Sequence, residues 1–572
     1  MPDVTLGSAD PFQDIFLAAV AAFEAGQLAD AERICLAVLD RKPGHFDAIR
    51  LLGAVNARVG RNDAALAWYD KALAIRPRHA ETLNDRGNVL KNLDRLVDAL
   101  VSCDKAIEAD PEFADAHYNR AVLLNKLKRF AEALSSYDTV LSLRPDHAVA
   151  LNNRGNVLVN LARVTEAAAS FDRALAIRPD YAEAFNNRGV TLQKLDLFEE
   201  AVESYDKAIA LKSDYAEAFD NRGVALKDLR RFDAALMSHR KAQELEPDLA
   251  VSHWNEALLL LLTGDLRGGF AKYEWRWKWP SYTSPRRGFS QPLWDGLEML
   301  CNRTILLHAE QGFGDTIQFC RYVPHVAARG ARVILEVGEP LRRLMGSLAG
   351  VAQVAAKGDT LPQFDVYCPL MSLPHAFSTR FDTVPAATPY LHPRADAAAT
   401  WETRLGATGK PRIGIVWAGN PSHINDRKRS IELAALLPLL AIDATFVSLQ
   451  KELRPADEAM LQAHAGVLPL GSALRDFADT AALVSCLDLV VSVDTSLAHL
   501  AGALAKPVYV LLPYGPDWRW MVDRDTSPWY PTARLFRQKT PDDWNEVIAR
   551  VAAAVASFVT RENVPDSPIR NL

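Results

Sequence analysis

AVALNNRGNVLVNLARVTEAAASFDRALAIRPDY, residues 148–181, is one copy of a pattern that returns every 34 positions through the first half of the chain. Its eighth residue is Gly155, and the same place holds Gly53, Gly87, Ala121, Gly189 and Gly223. Ala167, at the twentieth place, is matched by Ala65, Ala99, Ala133, Ala201 and Ala235. Phe171, at the twenty-fourth, is matched by Tyr69, Cys103, Tyr137, Tyr205 and His239. Pro179 closes the copy as Pro77, Pro111, Pro145 and Pro247 close others, with Ser213 as the exception. A fixed period of this length marks stacked helical hairpins. Small residues let paired helices approach closely, the larger ones fill the space between hairpins, and proline ends the second helix. Such an array binds but does no chemistry, so activity has to be sought in the C-terminal half of the chain.

Counting from Pro43 to Pro247, repeats begin near residues 12, 46, 80, 114, 148, 182, 216 and 250, and the pattern fades near 280. These positions resemble the tetratricopeptide repeat, which implies an α-solenoid over residues 1–282. The sixth residue of successive repeats reads Asp85, Asn119, Asn153, Asn187, Asn221 and Asn255. Equal phase on equal repeats puts these amides in one line, and the resemblance implies that the line faces the concave surface. An amide both donates and accepts, which suits gripping an extended peptide by its backbone. Similar ladders occur in the repeat domain of eukaryotic protein O-linked N-acetylglucosamine transferases. The plainer alternative is that these amides bond within or between neighbouring helices.

The chain has 572 residues, enough for three or four domains at roughly 150 residues each. Its 49% hydrophobic and 24% charged residues are ordinary for a globular protein. A net charge of −6 argues against a nucleic-acid partner. Six cysteines without a CxxC pair give neither a disulfide framework nor a metal site, and Cys35 and Cys103 fall where other repeats place an aromatic ring. The first residues lack the basic and apolar segments of a signal peptide, and no apolar run is long enough to span a membrane. The expected compartment is the cytoplasm.

Tyr273, Trp275 and Trp277 stand where the last repeat places its second helix, and they read as a hydrophobic cap more readily than as a sugar platform. The Pro-, Ser- and Arg-rich stretch over 283–302 reads as a connector. Strand-like segments then alternate with helical ones: TILLHAE (304–310), RVILEVG (332–338) and a short strand near 351–355. After a break over roughly 383–411 come RIGIVWAGN (412–420), ATFVSLQ (444–450), LVVSVD (489–494) and PVYVLLP (507–513). Two such blocks predict two Rossmann-like domains, 303–400 and 411–560, facing a cleft, with a tail over 561–572. The fold class is thus α + α/β.

Open α/β sheets bind ligands at the carboxyl ends of their strands. Three turns lie there. Gln311-Gly312-Phe313-Gly314-Asp315 frees the backbone with two glycines and sets Asp315 at a helix start, where an N-cap is the plain reading. Gly419 to Ser430 is a polar loop with three consecutive cations, Arg427, Lys428 and Arg429, suited to a diphosphate. Asp494-Thr495-Ser496 ends a strand, with Asp494 as the expected cap of a helix whose first N–H groups point at an anion, and His499 comes one turn later.

With GFGD at 312–315 and DLVVSVDTSLAHLAGALAKPVYVLLP at 488–513, the segment from about 303 to 555 resembles glycosyltransferase family 9, the ADP-heptose:lipopolysaccharide heptosyltransferase type. That resemblance implies the two-Rossmann GT-B fold and a nucleotide-diphosphate sugar as co-substrate, with no cofactor. Carried over, Asp315 is the catalytic base. Gly312, Gly314, Asp494, Thr495, Ser496 and His499 line the donor site. Lys428 or Arg429 neutralises phosphate, and Gln450 and Glu452, in SLQKE, contact the donor. The chain departs from the family pattern after VLLPYGP, where DWRWMVDRD replaces a threonine-rich turn. No DxD-like metal motif stands in the three turns, and the implied reaction is metal-independent inverting transfer. The acceptor is a protein recruited along Asn119, Asn153, Asn187, Asn221 and Asn255, or a lipopolysaccharide or other glycan. A third alternative is an inactive scaffold.

Overall fold

A computed structural model describes residues 11–284, 286–421, 426–463 and 466–562. The chain forms two compact units, residues 1–231 and 232–572. The division falls within the run of helices, which continues as far as Leu266–Tyr273.

The first unit is helical, from Pro11–Glu24 to Ala216–Asp228, in antiparallel pairs. The repeat residues do what their sizes dictate. A Cβ added at Gly53, Gly155 or Gly189 would lie 2.6, 2.5 or 2.6 Å from the ring of Tyr69, Phe171 or Tyr205, so each pair of helices closes on an aromatic ring. Ala65, Ala99, Ala133, Ala167 and Ala201 are fully buried.

Two polar ladders join successive hairpins. Asn119 Nδ2 donates to Asn84 Oδ1 at 2.8 Å, Asn153 to the Tyr118 hydroxyl at 3.0 Å, Asn187 to Asn152 Oδ1 at 3.0 Å and Asn221 to Asn186 Oδ1 at 3.0 Å. The half-buried amides therefore join one repeat to the one before it, as in the plainer alternative. Position six of one helix simply stands within reach of position five of its predecessor. The second ladder sits one residue later, at a place the expected pattern does not single out. Arg86, Arg120, Arg154 and Arg188 each reach back to Asp70, Asp104, Asp138 or Asp172 at 2.6–2.7 Å and forward to Ser102, Ser136, Ser170 or Ser204 at 2.5–2.7 Å. Each guanidinium pins three helices. Exposed pairs of this kind contribute little singly, roughly 0–1 kcal/mol; their effect is to fix the register of the stack.

The second unit opens with helices Phe232–Leu245, Ala250–Thr263 and Leu266–Tyr273. Here the ladder inverts its charge. Buried Glu256 stands where earlier repeats carry Arg, and it accepts from Arg240 at 2.9 Å and pairs with Lys272 at 3.0 Å. Two parallel sheets come next. The first has strands β1 (Thr304–His308), β2 (Arg332–Val337), β3 (Val351–Ala356) and β4 (Val366–Pro369) in the order β3-β2-β1-β4. The second has β5 (Arg412–Val416), β6 (Thr445–Ser448), β7 (Val467–Pro469), β8 (Leu489–Val493), β9 (Val508–Leu512) and β10 (Ala533–Arg537) in the order β10-β9-β8-β5-β6-β7. The second order is that of a complete dinucleotide-binding sheet, and the order in which strands are added switches between β5 and β8. In the first sheet it switches between β1 and β4.

Two expected boundaries move. Trp294 donates its backbone N–H to Tyr367 O at 2.8 Å and Tyr367 donates its own to Pro292 O at 3.2 Å, so part of the 283–302 connector extends the first sheet beside β4. Helix Ala395–Leu405, inside the expected break, belongs to the second sheet domain: Arg412 of β5 pairs with Glu402 at 2.6 Å, and the Cys486 thiol donates to Ala398 O at 3.4 Å. The last helix, Trp544–Glu562, lays Val547, Ile548, Val551, Val555 and Val559 into the core of that domain. Among the described residues no helix is long and apolar enough to cross a membrane.

Candidate active site

The segments that follow the carboxyl ends of β1 and β8 meet. Helix Phe313–Phe319 comes after β1 and helix Ser496–Ala503 after β8, and the two pack together at Gly314. A Cβ at Gly314 would stand 2.9 Å from His499 Cδ2 and 3.6 Å from Ser496 Cα. That glycine is therefore a contact surface. Gly314→Ala is expected to destabilise this unit by about 1–3 kcal/mol, the usual cost of overpacking, read as a lower denaturant midpoint. An unchanged midpoint would mean that the His499 ring gives way freely.

The ring has little freedom to do so. His499 Nδ1 lies 3.0 Å from the Tyr530 hydroxyl, and the ring stacks on Trp520 at 5.1 Å. Burial, with Arg519 nearby, pushes its pKa down to about 3, so the imidazole is neutral across the physiological range. It serves as a wall, not as a proton carrier.

Asp315 is the third residue of its helix, and Gly312 holds the N-cap place. The plain capping role is thus not what Asp315 does. Its Oδ1 accepts from Arg519 Nη2 at 2.5 Å. Arg519 belongs to the DWRW turn after β9, the stretch that departs from the family pattern. Its Nη1 and its backbone N–H both bond Asp517 Oδ1, at 2.8 and 2.9 Å. Burial works against ionising Asp517, yet Arg519 beside it holds the carboxyl below its usual range.

At the end of β8 the helix cap is Thr495, whose Oγ1 accepts from the Leu497 N–H at 3.3 Å, and not Asp494 as expected. A threonine hydroxyl at that place reaches the second N–H of the helix without turning a charge inward. Burial and the neighbouring Asp517 push the Asp494 carboxyl up to about 6. Arg429 Nη1 donates to the Asp494 carbonyl at 3.1 Å, passing over Gly419, where a Cβ would meet its guanidinium at 2.6 Å. Lys428 is exposed on the same short helix, Asp426–Arg429. Part of the polar loop before it, residues 422–425, lies outside the described residues.

Gly312, Gly314, Asp315, Ser496 and His499 are thus brought together, with Arg429 on Asp494 beside them. Gln450 is buried and accepts from the Ala418 N–H at 3.2 Å, tying the ends of β5 and β6. Glu452 is exposed and makes none of the contacts that join the cluster among the described residues. Asn255 is half-buried on helix Ala250–Thr263. The residues that the sequence reading missed are Asp517, Arg519, Trp520 and Tyr530. The signal was present in the departure itself, since two Trp and an Arg in four residues need a reason.

Comparison with known proteins agrees with these elements. Residues 16–80, 114–147, 148–181 and 182–215 match tetratricopeptide repeat profiles. Residues 472–541 match glycosyltransferase family 9 (heptosyltransferase). Protein FlbA of Caulobacter vibrioides is 24% identical over 326 residues, which is 53% of this chain and 54% of FlbA, so the alignment spans about half of that relative's length. Among solved structures, YrrB, a TPR protein with an unusual peptide-binding site, is 24% identical, with 32% of this chain and 95% of that one covered at a TM-score of 0.30. MamA is 23% identical, with coverage of 29% and 97% and a TM-score of 0.28. Tetratricopeptide repeats thus occupy the N-terminal half of the chain, and a glycosyltransferase family 9 domain lies near its C-terminus.

Proposed function

We propose that the second unit transfers a sugar from a nucleotide diphosphate to an acceptor hydroxyl, with inversion and without a metal ion, and that the repeats recruit a protein acceptor. The observation that carries this reading is the packing of Gly314, the neighbour of Asp315 in the turn after β1, against Ser496 and His499 in the helix after β8. Both segments stand beside the places where the strand order of their sheets reverses, where such folds bind ligands.

In this reading Asp315 takes the proton of the acceptor hydroxyl as that oxygen attacks the anomeric carbon. The diphosphate departs from the opposite side. Arg429, Lys428 and the N–H groups opening helix Ser496–Ala503 stabilise its charge. Neutral His499 holds Gly314 and Ser496 at their spacing. Recruitment of a protein rests on the tetratricopeptide repeats, whose ladder amides keep a half-buried edge after joining the repeats.

The test is transfer from labelled ADP-, GDP-, UDP- and dTDP-sugars, with and without EDTA, to protein and to glycan acceptors. Product anomers are read by NMR and the modified acceptor by mass spectrometry. Consumption of one donor, unaffected by EDTA and with an inverted anomer on protein, is the expected result. Consumption of none sinks the reading; EDTA sensitivity sinks its metal-free part, and labelling of glycan alone sinks the protein acceptor.

A further inference from the structure

We infer that Arg519 is shared between the base and the donor: it holds Asp315 until a nucleotide diphosphate takes the same guanidinium, so that Asp315 becomes a base only once the donor is seated. This inference rests on the transferase reading and adds a ligand and an order of events to it.

A general base needs a carboxylate oxygen open to the acceptor hydroxyl. Asp315 instead gives Oδ1 to Arg519 Nη2 at 2.5 Å, and an oxygen engaged by a guanidinium is a poor proton acceptor. The adjacent guanidinium lowers the basicity of the whole carboxylate, Oδ2 included, so separating the pair makes Asp315 the stronger base. The donor brings the one group with the right chemistry, because phosphate oxygens fit the same planar fork that carboxylates fit.

The surroundings favour exchange over a permanent pair. Arg519 is anchored independently of Asp315, since Nη1 and the backbone N–H both bond Asp517, and the Trp518 ring lies 4.3 Å from its guanidinium carbon. When Asp315 leaves, the guanidinium therefore stays in place. Its Nε is buried with no hydrogen-bond partner among the described residues, so the fork is not saturated by the two carboxylates. Arg519 also comes after β9, the neighbour of β8, whose end carries the Thr495–Ser496 turn. A diphosphate at that turn and Arg519 thus belong to one end of one sheet. Side-chain exposures of 12% for Arg519 and 37% for Asp517 leave part of the cluster open to solvent.

The test is binding of ADP, GDP, UDP and dTDP by calorimetry, followed by the tightest of them in variants. Arg519→Gln is expected to weaken binding by about tenfold or more, the size of one lost bond to a charged group. Asp315→Asn removes the competitor and is expected to tighten binding by about threefold or more. In an Arg519→Gln background the gain from Asp315→Asn is expected to vanish, which separates competition from a change of local charge. Arg519→Met replaces Gln as the background if the Gln variant does not fold. Unchanged affinity in Asp315→Asn overturns the inference, as does a gain that persists undiminished without the guanidinium. If no diphosphate binds the natural chain, the reading of a transferase falls and this inference with it. If one binds and Arg519→Gln binds it equally well, only the inference falls.

Discussion

Asp315→Ala is expected to lower sugar transfer by roughly a hundred- to ten-thousandfold, the range for losing a general base. Removing the carboxylate takes away the proposed proton acceptor after β1 while Arg519 keeps its two bonds to Asp517. The loss should therefore appear in kcat, with the KM for the donor unchanged or lowered. Helix Phe313–Phe319 is capped at Gly312 and not by the Asp315 side chain, so the denaturant midpoint should stay near that of the natural chain. Retention of more than a tenth of the transfer rate would remove Asp315 from the chemistry. A fall in kcat accompanied by a large drop in the midpoint would point instead to Asp315 as a structural partner of Arg519.

The repeats were legible because their period binds many positions to one geometry: Gly155 against Phe171 and Gly189 against Tyr205 are the same contact made twice. The strands that could be read are the buried, β-branched runs, such as Leu489–Val493. Three others were not read. Val366–Pro369 and Val467–Pro469 are too short and end in proline, and Ala533–Arg537 is an edge strand with Arg534 exposed on it. The same difference governs the site. Gly314, Asp315 and the turn after β8 could be found because they lie at strand ends within a known pattern. Arg519 could not, because it comes from a turn that departs from that pattern and meets Asp315 across 204 residues of sequence. The Asn ladder could be aligned from its spacing, but spacing does not say which side of the amide is engaged. Its partners at position five settle that, and those differ in kind, being Asn84, Tyr118, Asn152 and Asn186.

Arg276→Met is expected to destabilise the second unit by about 3–5 kcal/mol, the cost of leaving a buried charge without its partner. The aromatic stretch around Arg276 suggests a cap of tryptophans, yet Trp275 and Trp277 are only half-buried and Arg276 is fully buried. Its guanidinium holds Glu310 through two bonds, at 2.9 and 3.2 Å, and also reaches Glu274 at 2.6 Å and Ser372 at 2.7 Å. Burial pushes the Glu310 carboxyl above its usual range even with Arg276 beside it. A folded-state pKa raised above the unfolded one gives stability that is present at low pH and lost as pH rises through the folded value. Removing Arg276 raises it further, so the deficit of Arg276→Met should be larger at pH 8 than at pH 5. Adding Glu310→Gln should recover part of the loss and flatten that dependence, because the amide keeps a polar group for the Tyr282 hydroxyl and the Met371 N–H without the charge. A single variant within about 1 kcal/mol of the natural chain would show that water reaches Glu310 and that the pair is not a buried one. Glu310 stands five residues before Asp315, between β1 and helix Phe313–Phe319. The pair therefore joins the last helical elements of the repeats to the strand end that leads to Asp315, and under the proposed function the same variant should lower transfer even at temperatures where the unit remains folded.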